Sequence, residues 1–192
     1  MIYLIVGLVL FLGVHSVRIV AVGWRSVQLA RMGEGKWKGI YSLVSLAGLV
    51  LLIWGFGQTR QHPVVLWTPP QWTHHVAAVL TLIAFVLIVA GNLPGTRIKR
   101  AVGHPMVLGV KVWAVAHLIS NGTLADVILF GAFLVWAIVD YASSRRRDRA
   151  AGTVYPEGTA GRDALAIAIG VAAWVAFAFW LHGVLIGVQP LG

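Results

Sequence analysis

The sequence predicts an all-α, polytopic integral membrane bundle of about six transmembrane helices with both termini outside, and three observations predict it. First, 59% of the 192 residues are hydrophobic and 11% are charged, whereas a soluble domain carries about 25% charge. Mean hydropathy is correspondingly high at +0.85. Second, the apolar residues fall in runs close to the roughly 20 residues that cross a bilayer as helix. Third, the basic residues alternate between crowded and nearly empty connections. A soluble globular enzyme is excluded, and a single transmembrane domain over residues 1–192, surrounded by lipid, is expected.

The apolar runs place spans near Ile2 to Val22, Ile40 to Gly57, His74 to Gly91, Pro105 to Ile119, Leu124 to Tyr141 and Ala164 to Val188. The first has no basic leader and no small-residue cleavage site, and it carries His15 and Arg18, so it is expected to stay in the mature protein rather than be removed as a signal peptide. Turn-forming residues punctuate the connections: Gly33 and Gly35, then Pro63, Pro69 and Pro70, then Pro94 and Gly95, then Asn121 and Gly122. The fourth run is short and holds Lys111 and His117. It is either a tilted short helix or half of a re-entrant pair with the fifth, and charge placement allows both.

Arg25, Arg31, Lys36 and Lys38 lie in the first connection, Arg97, Lys99 and Arg100 in the third, and Arg145, Arg146, Arg147, Arg149 and Arg162 in the fifth. Arg60 is alone in the second, and the fourth has no base. Positive loops face the cytoplasm, which orients both termini outward and suits a multi-pass protein of a bacterial inner membrane. Bases scattered over three short loops form no nucleic-acid-binding surface, so nucleic acid is not an expected partner.

With no cysteine in the chain, disulfides, thiolate ligands and cysteine nucleophiles are excluded, and histidine must supply any soft ligation. Polar residues at membrane depth are expensive to keep and tend to be functional, which singles out His15, Arg18, Lys111, His117 and His182. His62, His74, His75 and His104 read as loop or interfacial imidazoles. Lys111 shares a helical stripe with His104 and should snorkel toward the N-terminal, cytoplasmic end of its helix.

His15 and Arg18 are three residues apart, on one helical face, with Phe11 one turn earlier. An uncharged imidazole ligates metal through its unprotonated nitrogen, and a nearby guanidinium suits a carboxylate such as a haem propionate. A core histidine with a snorkelling arginine is the plain alternative. His117 has Trp113 one turn before and Asn121 one turn after, on the same face. Two intramembrane histidines on different helices are what six-coordinate haem requires. Hydrolytic zinc would want three ligands, a water and typically a carboxylate base. The acidic residues all lie in loops or near span ends, Asp140 among them, so paired-carboxylate and di-iron chemistry find no support. At 1.5 Å per residue, His15 and His117 differ in depth by roughly 10–15 Å. His182 or His75 matches His117 more closely, and both stand as reserve ligands.

At these residues the sequence resembles the NnrU family. The carrying motifs are FLGVHSVRI at Phe11 to Ile19, GEGKWKGIYSLVSLAGLVL at Gly33 to Leu51, LWTPPQWTHHVA at Leu66 to Ala77, GHPMVLGVKVWAVAHLISNG at Gly103 to Gly122, and FGAFLVWAIVD at Phe130 to Asp140. That family is named for a role alongside nitrite and nitric oxide reduction in denitrifying bacteria, and it is similar to zeta-carotene isomerase, an integral membrane haem enzyme. The resemblance implies haem b, with iron held by His15 and His117 as axial ligands; helical spacing, not the resemblance, adds Arg18, Trp113 and Asn121 as cofactor-binding candidates beside them. It implies two classes of function: a haem protein serving a nitric oxide or nitrite reductase system, or a haem-dependent cis-trans isomerase of a carotenoid or other lipophilic polyene. Val115 stands where the isomerase has a cysteine proposed to exchange as iron ligand, so ligand switching by that route is closed to this chain. A weaker similarity links HPMVLG at His104 to Gly109 with membrane methyltransferases, but Gly103 replaces their arginine and the basic run at Arg145 replaces their acidic pair.

Overall fold

The computed structural model describes residues 1–191. It is built of helices α1 (Ile2–Val20), α2 (Val22–Thr59), α3 (Trp72–Asn92), α4 (Arg97–Val102), α5 (Pro105–Ser120), α6 (Leu124–Ala150), α7 (Ala160–Ala176) and α8 (His182–Ile186), with a π turn, Phe177–Leu181, joining the last two. In lipid every backbone N–H and C=O must be satisfied within its own segment, so even runs rich in Val and Ile form helix. Five segments are long and apolar enough to cross a membrane, the fifth being the continuous stretch Ala160–Ile186. α5 is the shorter sixth, its 16 residues reaching about 24 Å. It is one unbroken helix, as a short span requires, and α6, at 27 residues, is long enough to cross alone rather than as half of a re-entrant pair. The chain forms two compact units: Met1–Leu66 with Thr123–Ala132, and Trp67–Gly122 with the chain from Phe133 onward.

In the first unit α1 lies against α2 through glycines. A Cβ on Gly7 would sit 2.7 Å from Leu52 Cα, one on Gly48 2.7 Å from the Phe11 nitrogen, and one on Gly55 2.6 Å from the Tyr3 carbonyl carbon. Backbones this close gain dispersion contacts, the main attraction between helices where lipid is as apolar as leucine. The first connection, expected as a loop, is almost entirely helical, because VQLARM and its neighbours are good helix formers. Its one break is Gly33, at φ 77° and ψ 163°, a conformation that only glycine adopts cheaply. Trp24 and Trp37 have ring centroids 5.7 Å apart, whereas 13 residues of straight helix would separate them by about 20 Å. The chain therefore turns back on itself at Gly33. Leu124 N–H donates to the Val64 carbonyl at 2.9 Å, tying the start of α6 to the end of the second connection.

In the second unit α3 is the central helix. Gly109 of α5 approaches the Ala84 carbonyl and Ile88, and Gly170 of α7 approaches the backbone of Val86, so α5 and α7 both pack on α3. The turn between α3 and α5 contains α4, unforeseen from hydropathy because it is short and basic. Thr96 caps it, its Oγ1 accepting from Lys99 N–H at 3.2 Å. The same threonine pairs with Thr159, whose N–H donates to the Gly95 carbonyl at 3.0 Å and whose side chain caps α7. Asp163 then accepts from Ile98 N–H at 3.2 Å. Two basic connections are thus stitched together at one end of this unit.

Candidate functional site

At the other end of the second unit, α3, α5, the π turn and the C-terminal residues enclose a partly open cavity of about 150 Å³. Ala77, Ala78 and Phe85 of α3, Trp113 of α5 and Trp174 of α7 supply apolar and aromatic wall, while His117, Asn121 and His182 bring polar groups to it. His117 stands three residues before the end of α5. Its ring centroid is 5.0 Å from that of Trp113, and its carbonyl accepts from Asn121 Nδ2 at 2.9 Å. The helical spacing that grouped Trp113, His117 and Asn121 on one face holds.

Tautomers follow from the hydrogen bonds. His117 Nδ1 is 2.8 Å from the Trp113 carbonyl oxygen, and His182 Nδ1 is 2.7 Å from that of Val188. A carbonyl only accepts, so each Nδ1 carries a proton, and a ring with that single proton keeps its lone pair on Nε2. Metal-bound histidines are commonly held this way, the second nitrogen donating to a backbone carbonyl that fixes the ring. In the first unit His15 has the same arrangement, with Nδ1 2.6 Å from the Phe11 carbonyl. Its ring lies 4.4 Å from that of Phe11 and 5.3 Å from Tyr41, edge-on. Arg18 is in the last turn of α1 and is exposed.

The structure therefore gathers Trp113, His117, Asn121 and His182 around one cavity of the second unit, and sets His15 and Arg18 together on α1 of the first. His74 and His75 are both exposed, as interfacial imidazoles should be, and His74 also lines the cavity. Sequence reading did not foresee that second role, because one turn of helix cannot be phased from hydropathy. It also gave no role to residues 188–191, which Gly187, in the left-handed conformation, turns back over the cavity.

A second polar group stands among the basic connections. Asp148 Oδ2 accepts from Tyr155 Oη at 2.6 Å and from His104 Nε2 at 2.8 Å, and Arg145 Nη1 is 3.8 Å away. The Tyr141 ring meets His104 edge-on and carries Lys111 Nζ 4.2 Å from its centroid. Lys111 thus reaches back toward the start of α5, as expected of a snorkelling lysine, whereas His104 is more than an interfacial imidazole: it holds the α6–α7 connection through Asp148. Burial, and then the hydrogen bond to the Asp148 carboxylate, push the Tyr155 hydroxyl above its ordinary pKa. A raised folded-state value favours the fold fully below the unfolded value of about 10 and loses that contribution as pH rises through the folded one. Alkaline unfolding of the wild type should therefore include a component above about pH 10 that Tyr155→Phe removes. Melting curves recorded from pH 8 to 11.5 test it, and equal slopes in the two proteins would refute the assignment.

The cavity's donor set suits an iron porphyrin: imidazoles with Nδ1–H committed to carbonyls, and flat aromatic walls against which a macrocycle can lie. About 150 Å³ is the size of an engineered cavity that takes benzene, so a macrocycle must extend through the partly open side. Among the described residues no three His, Cys, Asp or Glu side chains gather to hold a bare metal ion. The family model described as NnrU protein matches residues 3–190. Neither a curated protein nor a solved structure matches the chain.

Proposed function

The chain belongs to the NnrU family, and from that premise we propose that it is a haem b-binding protein of a bacterial inner membrane, serving nitrite and nitric oxide metabolism. The observation that carries this reading is His117: an imidazole on a short intramembrane helix, facing an aromatic-walled cavity, with its tautomer set by the Trp113 carbonyl. When bound, haem supplies a redox-active iron that takes small ligands such as nitric oxide. The residues of the chain hold and orient it. Trp113 flanks the ligating ring, and Asn121 braces the end of α5 through the His117 carbonyl. Sensing, electron delivery and support of a nitric oxide reductase are the roles that such a site can serve.

The experiment is spectroscopic. Wild type expressed with a haem precursor and purified in detergent should show a Soret band at about one haem per chain, and His117→Ala should lose the haem or shift the band. A colourless wild type, or a His117→Ala spectrum identical to it, refutes the reading. The cavity's apolar walls and open side also suit a lipophilic polyene, so the competing reading is a haem-dependent isomerase. Product analysis in a carotenoid-producing host separates the two: new double-bond isomers favour isomerisation, and an unchanged carotenoid profile opposes it.

A further inference from the structure

We infer that the basic end of the second unit binds the phosphate of an anionic glycerophospholipid, chiefly through Arg97 and Arg162; this does not depend on the haem reading. The two arginines come from connections far apart in sequence and adjacent in space. Thr96 and Thr159 pair side by side, Thr159 N–H donates to the Gly95 carbonyl at 3.0 Å, and Asp163 accepts from Ile98 N–H at 3.2 Å. A Cβ on Gly158 would sit 2.7 Å from the Arg97 nitrogen, and one on Gly95 would lie 3.9 Å from Arg162 Cγ. Arg97 and Arg162 thus leave one braced piece of backbone, so binding has little main chain left to order.

Charge separates these arginines from the other bases. The third and fifth connections carry eight bases against three acids, and each acid is already engaged. Asp148 accepts from Tyr155 and His104, Glu157 pairs with Arg100 at 3.2 Å, and Asp163 takes the Ile98 N–H. Among the described residues no acidic group stands within ion-pair distance of Arg97 or Arg162, and both are exposed. Cations rooted side by side repel, an anion between them relieves the repulsion, and a planar guanidinium offers a phosphate two parallel N–H donors.

The surroundings favour a lipid as the carrier of that phosphate. α3 ends at Asn92, α5 begins at Pro105 and α7 at Ala160, so these bases lie just beyond the apolar spans, at headgroup level. Tyr141 and Tyr155 stand there too, as interfacial aromatics do. Three and seven residues after Arg162, on the same face of α7, Leu165 and Ile169 are 43% and 44% exposed, a strip along which an acyl chain can lie. Free phosphate would use the cations alone, whereas a phospholipid uses cations and strip together.

The test is native mass spectrometry of full-length protein in detergent, offered phosphatidylglycerol and phosphatidylcholine in equal amounts. Wild type should retain phosphatidylglycerol in preference. Arg97→Gln with Arg162→Gln should weaken that retention about twentyfold, or about fivefold for each cation lost. Arg31→Gln with Lys36→Gln removes the same charge from the first connection and should leave retention nearly unchanged. Melting midpoints give a second readout: phosphatidylglycerol should raise that of wild type but not that of the Arg97, Arg162 variant, and inorganic phosphate should raise neither. Equal retention of the two lipids by wild type, equal losses in the two double variants, or stabilisation by inorganic phosphate as strong as by the lipid overturns the inference. Elution profiles show whether the variants fold, and if the Arg97, Arg162 variant does not, the choice of wild type between the two lipids still decides.

Discussion

Replacing Gly7 and Gly55 together by valine is expected to separate α1 from α2 and leave little folded first unit. At both positions the new side chain would meet backbone: Leu52 N and Cα opposite Gly7, and Leu4 N and the Tyr3 carbonyl carbon opposite Gly55. No rotamer change relieves a collision with main chain, so the helices must part. Overpacking typically costs about 1–3 kcal/mol per site. Here it also forfeits the close dispersion contacts that take the place of the hydrophobic effect in lipid. Gly57→Val is the control, because nothing lies within 4 Å of its Cβ position. Thermal melting of the detergent-solubilised variants checks the prediction, with a loss of at least about 3 kcal/mol expected for the double variant and nearly none for the control. A double variant as stable as wild type would mean that the two helices do not meet through these glycines.

Asp148→Ala should have the next largest effect. Its carboxylate takes hydrogen bonds from Tyr155 and His104 at 2.6 and 2.8 Å, and its side chain is only 17% exposed. Hydrogen bonds to a charged group contribute about 1.5–3 kcal/mol each, and removal leaves two part-buried donors without their acceptor. The consequence is local: residues 151–159 lose their tie to the start of α5, and limited proteolysis there should accelerate about tenfold or more. Asp140→Ala provides the contrast. Its nearest ion-pair approach to Arg147 is 4.0 Å, and so loose a pair contributes about 0–1 kcal/mol. If the two variants are cleaved at the same rate, the polar group around His104 does not secure that connection.

Much of the fold is legible in the chain because a bilayer allows few solutions. Every long apolar run becomes a helix, and the six spans read from hydropathy appear at nearly the same residues, with α1 ending at Val20 and α3 covering Trp72–Asn92. The helical grouping of Trp113 with His117 and Asn121, and the backward reach of Lys111, follow from 3.6-residue periodicity and the tilt of Cβ toward the helix N-terminus. What hydropathy missed is polar or irregular. The first connection is helical on both sides of Gly33, α4 is a single capped basic turn, and His104 gains its partners from residues more than 40 positions away.

By itself the sequence determined that this is a multi-pass helical membrane protein of the NnrU family, and which few polar residues fall within its apolar runs. Those properties follow from composition and short-range periodicity, which act within one helix at a time. Tertiary structure alone decided that His74, His117 and His182 face one cavity, that His104 is tied to Asp148 and Tyr155, and that the α6–α7 connection is tied to the α3–α5 turn through Thr96 and Thr159. The physical reason is that a side chain's neighbours on other helices depend on phase and close approach. One extra residue in a π turn, or one glycine without a Cβ, changes both while leaving hydropathy almost untouched.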